Sequence, residues 1–118
     1  MKIKLESEKE IGNIEYKIKL CKNTEYKITQ LSTQMLYRLY QGNGYVIYYI
    51  GVCDNGDIVG ISETDLNNSV LLLKKASNKI GAKFVNSIKI NVEKTDRYYM
   101  KIIFKKKLNL SLIDDDEY

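Results

Sequence analysis

Three carboxylates are the residues whose types and spacing suggest catalysis. Glu10 and Glu15 bracket the start of a predicted strand, and Asp54 follows the end of a central one. Together they could hold Mg²⁺ or Mn²⁺ and position water against a phosphodiester, as a metal-dependent nuclease does. The 118 residues contain no histidine, which excludes imidazole bases, Ser-His-Asp triads and Cys-His pairs. The three residues also have structural uses: Glu15 can pair with a lysine, Glu10 can be solvated, and Asp54 can open a turn.

Basic residues on polar positions of the predicted elements form a second candidate site. With one aromatic neighbour, they are Lys17, Lys19, Lys22, Arg38, Tyr40, Lys74, Lys75, Lys105, Lys106 and Lys107. Lysines neutralise phosphates and tyrosines stack on bases, so the set would bind RNA if its members share one side of the molecule. Without such clustering, the same residues only solvate a face.

The charge of the chain is divided between a basic body and an acidic end. The net charge is +4, and residues 114–117 supply four negative charges, so residues 1–113 carry +8. We expect residues 106–118 to form a tail. It could be a frayed terminus that aids solubility, a segment that docks on a partner, or an acidic end that folds over the basic face.

Length and composition predict one small domain, residues 1–105. Hydrophobic residues make up 44% of the chain, enough for one two-layer core. Cys21 and Cys53 show no zinc-ligand spacing, so no metal is expected outside the nuclease alternative. There is neither a leader-like apolar segment nor an apolar run long enough to cross a bilayer, which predicts no membrane partner and a cytosolic or nuclear location. Of these two, we expect the protein to be cytoplasmic.

Hydrophobic periodicity in the first half of the chain predicts four elements. Residues 13–22 alternate as a strand with one buried face. A helix capped by Thr24 follows and ends at Gly42. The apolar run 45–53 predicts a central strand, and residues 57–61 predict its hairpin partner.

The second half predicts three more elements. Ser62 can cap a second helix that ends at Gly81. Residues 83–92 and 97–105 alternate as two further strands. The order β-α-β-β-α-β-β predicts an α+β fold in which two helices lie on a small, mostly antiparallel sheet.

Several motifs in the same order carry a family resemblance. They are Gly12 to Leu20 (GNIEYKIKL), Leu31 to Met35 (LSTQM) with Arg38 and Leu39, Tyr49 to Gly56 (YIGVCDNG), Val59 to Ile61, and Ser69, Leu73 and Ala76. Over residues 10–92 the chain resembles the region that precedes the GTPase domain in the GTP-binding protein 1 family of eukaryotic translational GTPases. It has no G-x-x-x-x-G-K-[ST] phosphate loop, so we expect neither GTP binding nor hydrolysis.

A more distant resemblance is to the AlbA-like domain of Schlafen proteins, some of which cut transfer and ribosomal RNA. Glu10, Glu15 and Asp54 match the acidic residues of that family. Schlafen nucleases place two such lobes around their RNA, whereas this chain has one.

The resemblance to translational GTPases implies a ribosome-associated RNA-binding protein. We expect it to occupy a site on ribosomal RNA or a site of transfer RNA and to silence or stabilise idle ribosomes, in the manner of a microsporidian-type dormancy factor. Its expected partners are ribosomal RNA and ribosomal proteins, with transfer RNA as a further candidate, and no cofactor is expected. The alternatives are an endoribonuclease that cuts transfer or ribosomal RNA with Mg²⁺ or Mn²⁺, and a DNA-binding module.

Overall fold

The computed structural model describes residues 4–108, which form two helices and four strands. The elements are β1 (Ile14–Lys17), α1 (Glu25–Gln41), β2 (Tyr45–Ile50), α2 (Glu63–Lys79), β3 (Lys83–Asn91) and β4 (Tyr98–Lys105). This arrangement confirms the α+β prediction. Of the predicted tail, residues 109–118 lie outside the described residues.

Both helices begin at the capping residues that the sequence predicts. The Thr24 side chain accepts a hydrogen bond from the Lys27 amide, and the Ser62 side chain accepts one from Asp65. Each bond satisfies an amide that has no partner within its helix. Gly42 follows α1 directly, and Gly81 lies just beyond α2 at a φ of +72°, a conformation that favours glycine.

The four strands form one mixed sheet in the order β1-β2-β4-β3. β1 and β2 are parallel, and the pairs β2–β4 and β3–β4 are antiparallel. The two helices pack on one face of this sheet. The core there comprises Leu31, Met35 and Leu39 from α1, Leu66 and Leu73 from α2, and Val46, Tyr48, Ile50, Met100, Ile102 and Phe104 from the sheet.

One of the predicted strands, residues 57–61, does not form. Residues 57–61 form only isolated bridges, in which Asp57 pairs with Lys4, Ile58 with Val52 and Ile61 with Tyr98. The left-handed conformations of Gly51, Gly56 and Gly60 interrupt the ladder there. The structure therefore has one strand fewer than the predicted order.

The first strand is also shorter than predicted. It spans four residues rather than residues 13–22, because the chain leaves the sheet and turns toward α2. The Leu20 amide donates to the buried Ser69 hydroxyl at 2.8 Å, and Ser69 in turn lies 2.8 Å from the Asp65 carbonyl. This side chain joins the segment after β1 to α2.

The second face of the sheet carries neither helix, and we call it the open sheet face. Because successive strand residues point to opposite faces, its side chains are those that alternate with the core residues. They are Ile14, Tyr16, Tyr45, Ile47, Tyr49, Lys83, Asn86, Ile88, Ile90, Tyr99, Lys101, Ile103 and Lys105. A small cluster around Tyr16, Val52 and Ile58 covers the part of this face next to Tyr49 and Tyr99.

Replacing Ser69 should destabilise the fold through the segment that follows β1. Ser69→Ala leaves the Leu20 amide buried without its partner, which should lower the free energy of unfolding by about 1–3 kcal/mol in urea denaturation. Ser32→Ala is the matched control, because the buried Ser32 hydroxyl donates only to the Ile28 carbonyl of its own helix. Equal losses in the two variants would contradict the proposed role of Ser69.

Candidate nucleic-acid interface

The basic residue Arg38 lies inside the protein rather than on its surface. The residue is 4% exposed. Nε donates to Glu15 Oε1 at 2.8 Å, and the two terminal nitrogens donate to the carbonyls of Gly12 and Lys9, each at 2.8 Å. The guanidinium therefore ties α1, β1 and the N-terminal segment together. Its donors serve this network, so Arg38 does not present them to a phosphate on the surface.

The three candidate catalytic carboxylates lie in different environments. Glu10 and Asp54 are exposed, whereas Glu15 is buried against Arg38 and has Lys17 Nζ at 3.7 Å. Among residues 4–108, no group of three or more histidine, cysteine, aspartate or glutamate residues could hold a metal ion. The described residues thus do not form the metal site that the nuclease alternative needs.

A carboxylate that the sequence analysis missed, Glu8, lies beside Glu15. Its Oε2 accepts a hydrogen bond from the Tyr16 amide at 2.6 Å. Burial raises the pKa of Glu8 from 4.5 to about 7, and a hydrogen bond with Glu15 and the negative charges of Glu15 and Asp54 add to this rise. The hydrogen bond from the Tyr16 amide acts in the opposite direction and lowers the pKa of Glu8. No periodicity marks Glu8, since the N-terminal segment folds back without regular structure.

Several predicted RNA-binding lysines have partners on the helical side of the molecule. Lys19 Nζ lies 3.6 Å from Asp65, and Lys75 donates to the Asn23 side chain at 3.1 Å. Lys74 lies over the Phe84 ring, 4.6 Å from its centroid. Lys22 is exposed. None of these lysines, nor Lys17, lines the pocket that Lys105, Lys106 and Lys107 border.

The remaining lysines meet at the end of the sheet, in a site that we call the lysine cleft. It is a cleft of about 630 Å³ lined by Asn43, Gly44, Tyr45, Gly81, Lys83, Lys105, Lys106, Lys107 and Leu108. Its four lysines form no ion pair with another residue of the range 4–108. Their charges are therefore not neutralised by described carboxylates.

The cleft brings together three predicted residues and two that were not in the predicted set. Lys105, Lys106 and Lys107 were predicted, whereas Lys83 enters because β3 pairs with β4 so that Lys83 opposes Lys105. Tyr45 opposes Lys105 from the other side and is 50% exposed. The predicted residue Tyr40 is also exposed but does not line the cleft. The register of the sheet, which the sequence does not give, decides this membership.

Comparison with known proteins relates the chain to part of a GTP-binding protein. Over 78 residues it is 45% identical to GTP-binding protein 2 of Mus musculus and, equally, to that of Homo sapiens. These residues are 66% of this chain but 13% of either relative. Over 109 residues it is 32% identical to Uncharacterized protein R625 of Acanthamoeba polyphaga mimivirus, covering 91% of this chain and 59% of that protein. The chain thus contains a domain related to part of GTP-binding protein 2.

Two other comparisons found nothing. No protein-family model matches the chain, and no solved structure matches it. The resemblance to the Schlafen AlbA-like domain accordingly stays a prediction. Within residues 4–108, neither helix has the length and apolar character that crossing a bilayer requires.

Removing the Arg38 side-chain charge should strongly destabilise the fold. Arg38→Met leaves Glu15 buried without its closest cation, which should lower the free energy of unfolding by about 3–5 kcal/mol in urea denaturation. Lys19→Met is the control, because its pair with Asp65 is exposed and should contribute less than about 1 kcal/mol. A loss in Arg38→Met no larger than in the control would show that the buried pair is not a central constraint.

The raised pKa of Glu8 should make stability depend on pH. Between about pH 4.5 and 7 the folded protein retains a proton that the unfolded chain has released, so this group lowers the free energy of unfolding as the pH rises. Glu8→Gln stays neutral, so its stability relative to the wild type should increase from pH 5 to pH 8 in urea denaturation. The trend in Glu8→Gln should exceed any trend in Glu10→Gln, a control that removes an exposed carboxylate. A constant difference between Glu8→Gln and the wild type would contradict this assignment.

Proposed function

We propose that this chain is a ribosome-associated RNA-binding protein that acts by occupying its site. In this proposal it binds ribosomal RNA, or a site normally taken by transfer RNA, and thereby silences or stabilises idle ribosomes. The observation that carries the proposal is the lysine cleft, in which Lys83, Lys105, Lys106 and Lys107 surround a space beside an exposed tyrosine.

The chemistry of the cleft favours a polyanion. Four lysine ammonium groups gathered without carboxylate partners among residues 4–108 repel one another, and a phosphate backbone would relieve this repulsion while releasing its own counterions. Tyr45 adds an aromatic ring next to the cations, which suits a nucleic acid better than a simple anion. The lysines with partners on the helical side have a smaller role in this proposal.

The ribosome as the partner is supported by sequence similarity. The relation to part of GTP-binding protein 2 is consistent with a function connected to translation, and the motifs of residues 10–92 resemble a domain of translational GTPases. The chain has no G-x-x-x-x-G-K-[ST] motif, so the proposal includes no GTP hydrolysis. A cytoplasmic location and a role like that of a microsporidian-type dormancy factor are parts of the same proposal.

Binding to ribosomes should depend steeply on salt and on the lysine cleft. With four phosphate contacts on a single strand, the logarithm of the association constant should fall with the logarithm of salt concentration with a slope of about −3. Substituting Lys105, Lys106 and Lys107 by Gln should reduce this slope to about −1 and release the protein from purified ribosomes at moderate salt. Co-sedimentation through a sucrose cushion at several salt concentrations measures both effects.

The matched control removes the same charge elsewhere. Lys9, Lys27 and Lys94, all outside the cleft, are substituted by Gln together, which should leave the slope nearly unchanged. Equal effects of the two triple variants would contradict a specific role for the cleft.

Two further results would favour the alternative functions. Cleavage of transfer RNA in Mg²⁺ or Mn²⁺ that is lost in Glu15→Gln would contradict pure binding and favour the nuclease alternative. A strong preference for duplex DNA over structured RNA would favour the DNA-binding alternative.

A further inference from the structure

The open sheet face adjoins the lysine cleft and carries a regular pattern of side chains. Tyr45, Lys105 and Lys83 lie opposite one another on β2, β4 and β3 and belong to both surfaces. The next row consists of Ile14, Ile47, Ile103 and Asn86. The row beyond it consists of Tyr16, Tyr49, Lys101 and Ile88. Apolar side chains thus lie between two rows that contain lysine.

The charge of this face is of one sign. Its strand residues include the cations Lys83, Lys101 and Lys105 and no aspartate or glutamate. Two acidic residues lie at the border beyond β1, where the Tyr16 hydroxyl donates to the backbone carbonyl of Glu6 and the Tyr16 amide donates to the Glu8 carboxylate. Acidic residues thus border the face at β1, whereas its lysines lie on β3 and β4. A polyanion would therefore bind across β2, β4 and β3 and avoid the border at β1.

The open sheet face exposes apolar side chains to solvent, and a bound partner would cover them. Ile88 is 56% exposed, Tyr45 is 50% exposed, and Ile47, Ile103 and Lys101 are half-buried. A second copy of the chain that met this one at the cationic end would place lysines against lysines, and a basic protein would meet the same repulsion. The occupant that fits has negative charges and flat apolar surfaces together, which describes the backbone and bases of a nucleic acid.

The apolar rows also distinguish an unpaired strand from a duplex. A duplex presents its phosphates outward and keeps its bases stacked inside, so it could use the lysines but not the isoleucines and tyrosines. An unpaired strand can turn its bases onto these side chains while its phosphates contact the cations.

We propose that the open sheet face binds an unpaired segment of RNA. The strand enters at the lysine cleft and passes over Tyr45 and the isoleucine row, and its bases lie on Ile47, Ile103 and Ile88 while Lys101 and Lys105 contact phosphates. The inference rests on the proposed function, because the lysine cleft supplies part of the phosphate contacts, and it adds that the RNA recognised by this protein is single-stranded at the point of contact.

The test compares the affinities of unpaired RNA and duplex RNA for a protein variant altered on the open sheet face. The double variant Tyr45→Ser with Ile88→Ser removes exposed apolar surface without changing charge. Its control, Tyr26→Ser with Leu71→Ser, removes an exposed tyrosine and an exposed aliphatic side chain from the helical side, where they are 73% and 54% exposed. Fluorescence anisotropy measures binding of a labelled unpaired RNA of about ten nucleotides and of a labelled RNA duplex of about sixteen base pairs, with circular dichroism to verify folding.

The expected result is a loss specific to unpaired RNA. The open-face variant should bind the unpaired RNA at least about 10-fold more weakly, while its affinity for the duplex and both affinities of the control variant change by less than about 2-fold. Ultraviolet crosslinking of the wild-type complex, read by mass spectrometry, should place uridine on Tyr45. This crosslink supports the inference without relying on a substitution.

Other outcomes would overturn the inference, and they differ from those that bear on the proposed function. If the open-face variant binds unpaired RNA normally while the Lys105, Lys106 and Lys107 variant does not, the open sheet face is not the site but the cleft is. If both RNAs lose affinity equally in the open-face variant, the face does not select unpaired strands. A wild-type dimer in analytical ultracentrifugation that dissociates in the open-face variant would assign the face to a second copy. Failure of the wild type to bind either RNA would reject the proposed function itself.

Discussion

The buried pair of Arg38 and Glu15 is the interaction on which the rest of the arrangement depends. A guanidinium at this depth requires hydrogen-bond partners, and each of its three nitrogens donates one bond, to a carboxylate of β1 and to the carbonyls of Gly12 and Lys9. One side chain of α1 thereby fixes both the edge strand and the segment that precedes it. The position of that segment brings Glu8 beside Glu15 and places the acidic border along one side of the open sheet face.

The basic residues of the structure fall into two groups with different roles. Arg38, Lys17 and Lys19 lie near carboxylates and contribute to the structure of the helical side. The lysines at the end of the sheet lie near one another, with no described carboxylate to pair with. The surface to which a polyanion would bind is therefore identified by lysines that lack a described carboxylate nearby, rather than by the number of lysines.

Local signals in the sequence predicted most of the fold. The caps Thr24 and Ser62 and the glycines at 42 and 81 bounded both helices well, because capping and left-handed conformations depend on residues a few positions apart. Residues 57–61 alternate like a strand, yet three glycines in left-handed conformations leave them with isolated bridges. The alternating apolar residues Ile58 and Ile61 pack into the two hydrophobic clusters, but they do not form a continuous ladder of strand hydrogen bonds.

The site was harder to predict, because its members come together through the register of distant strands. Lys83 and Lys105 are 22 positions apart and become neighbours only because β3 and β4 pair as they do. Arg38 looked like a surface cation because its position in the helix is polar, and only the packing of the N-terminal segment shows that it is covered. Glu8 precedes every regular element, so no period could relate it to Glu15.

The edge strand β3 has a further consequence for how the protein behaves when it is crowded. All nine of its residues are exposed, and four of them are large and apolar, which makes it a template for the strand of another molecule. Its pairing with β4 shifts register between Phe84 and Asn86, so the outer row of amides and carbonyls is not continuous. This irregularity, together with Lys83 and Lys89 along the same strand, opposes edge-to-edge pairing with the strand of another molecule.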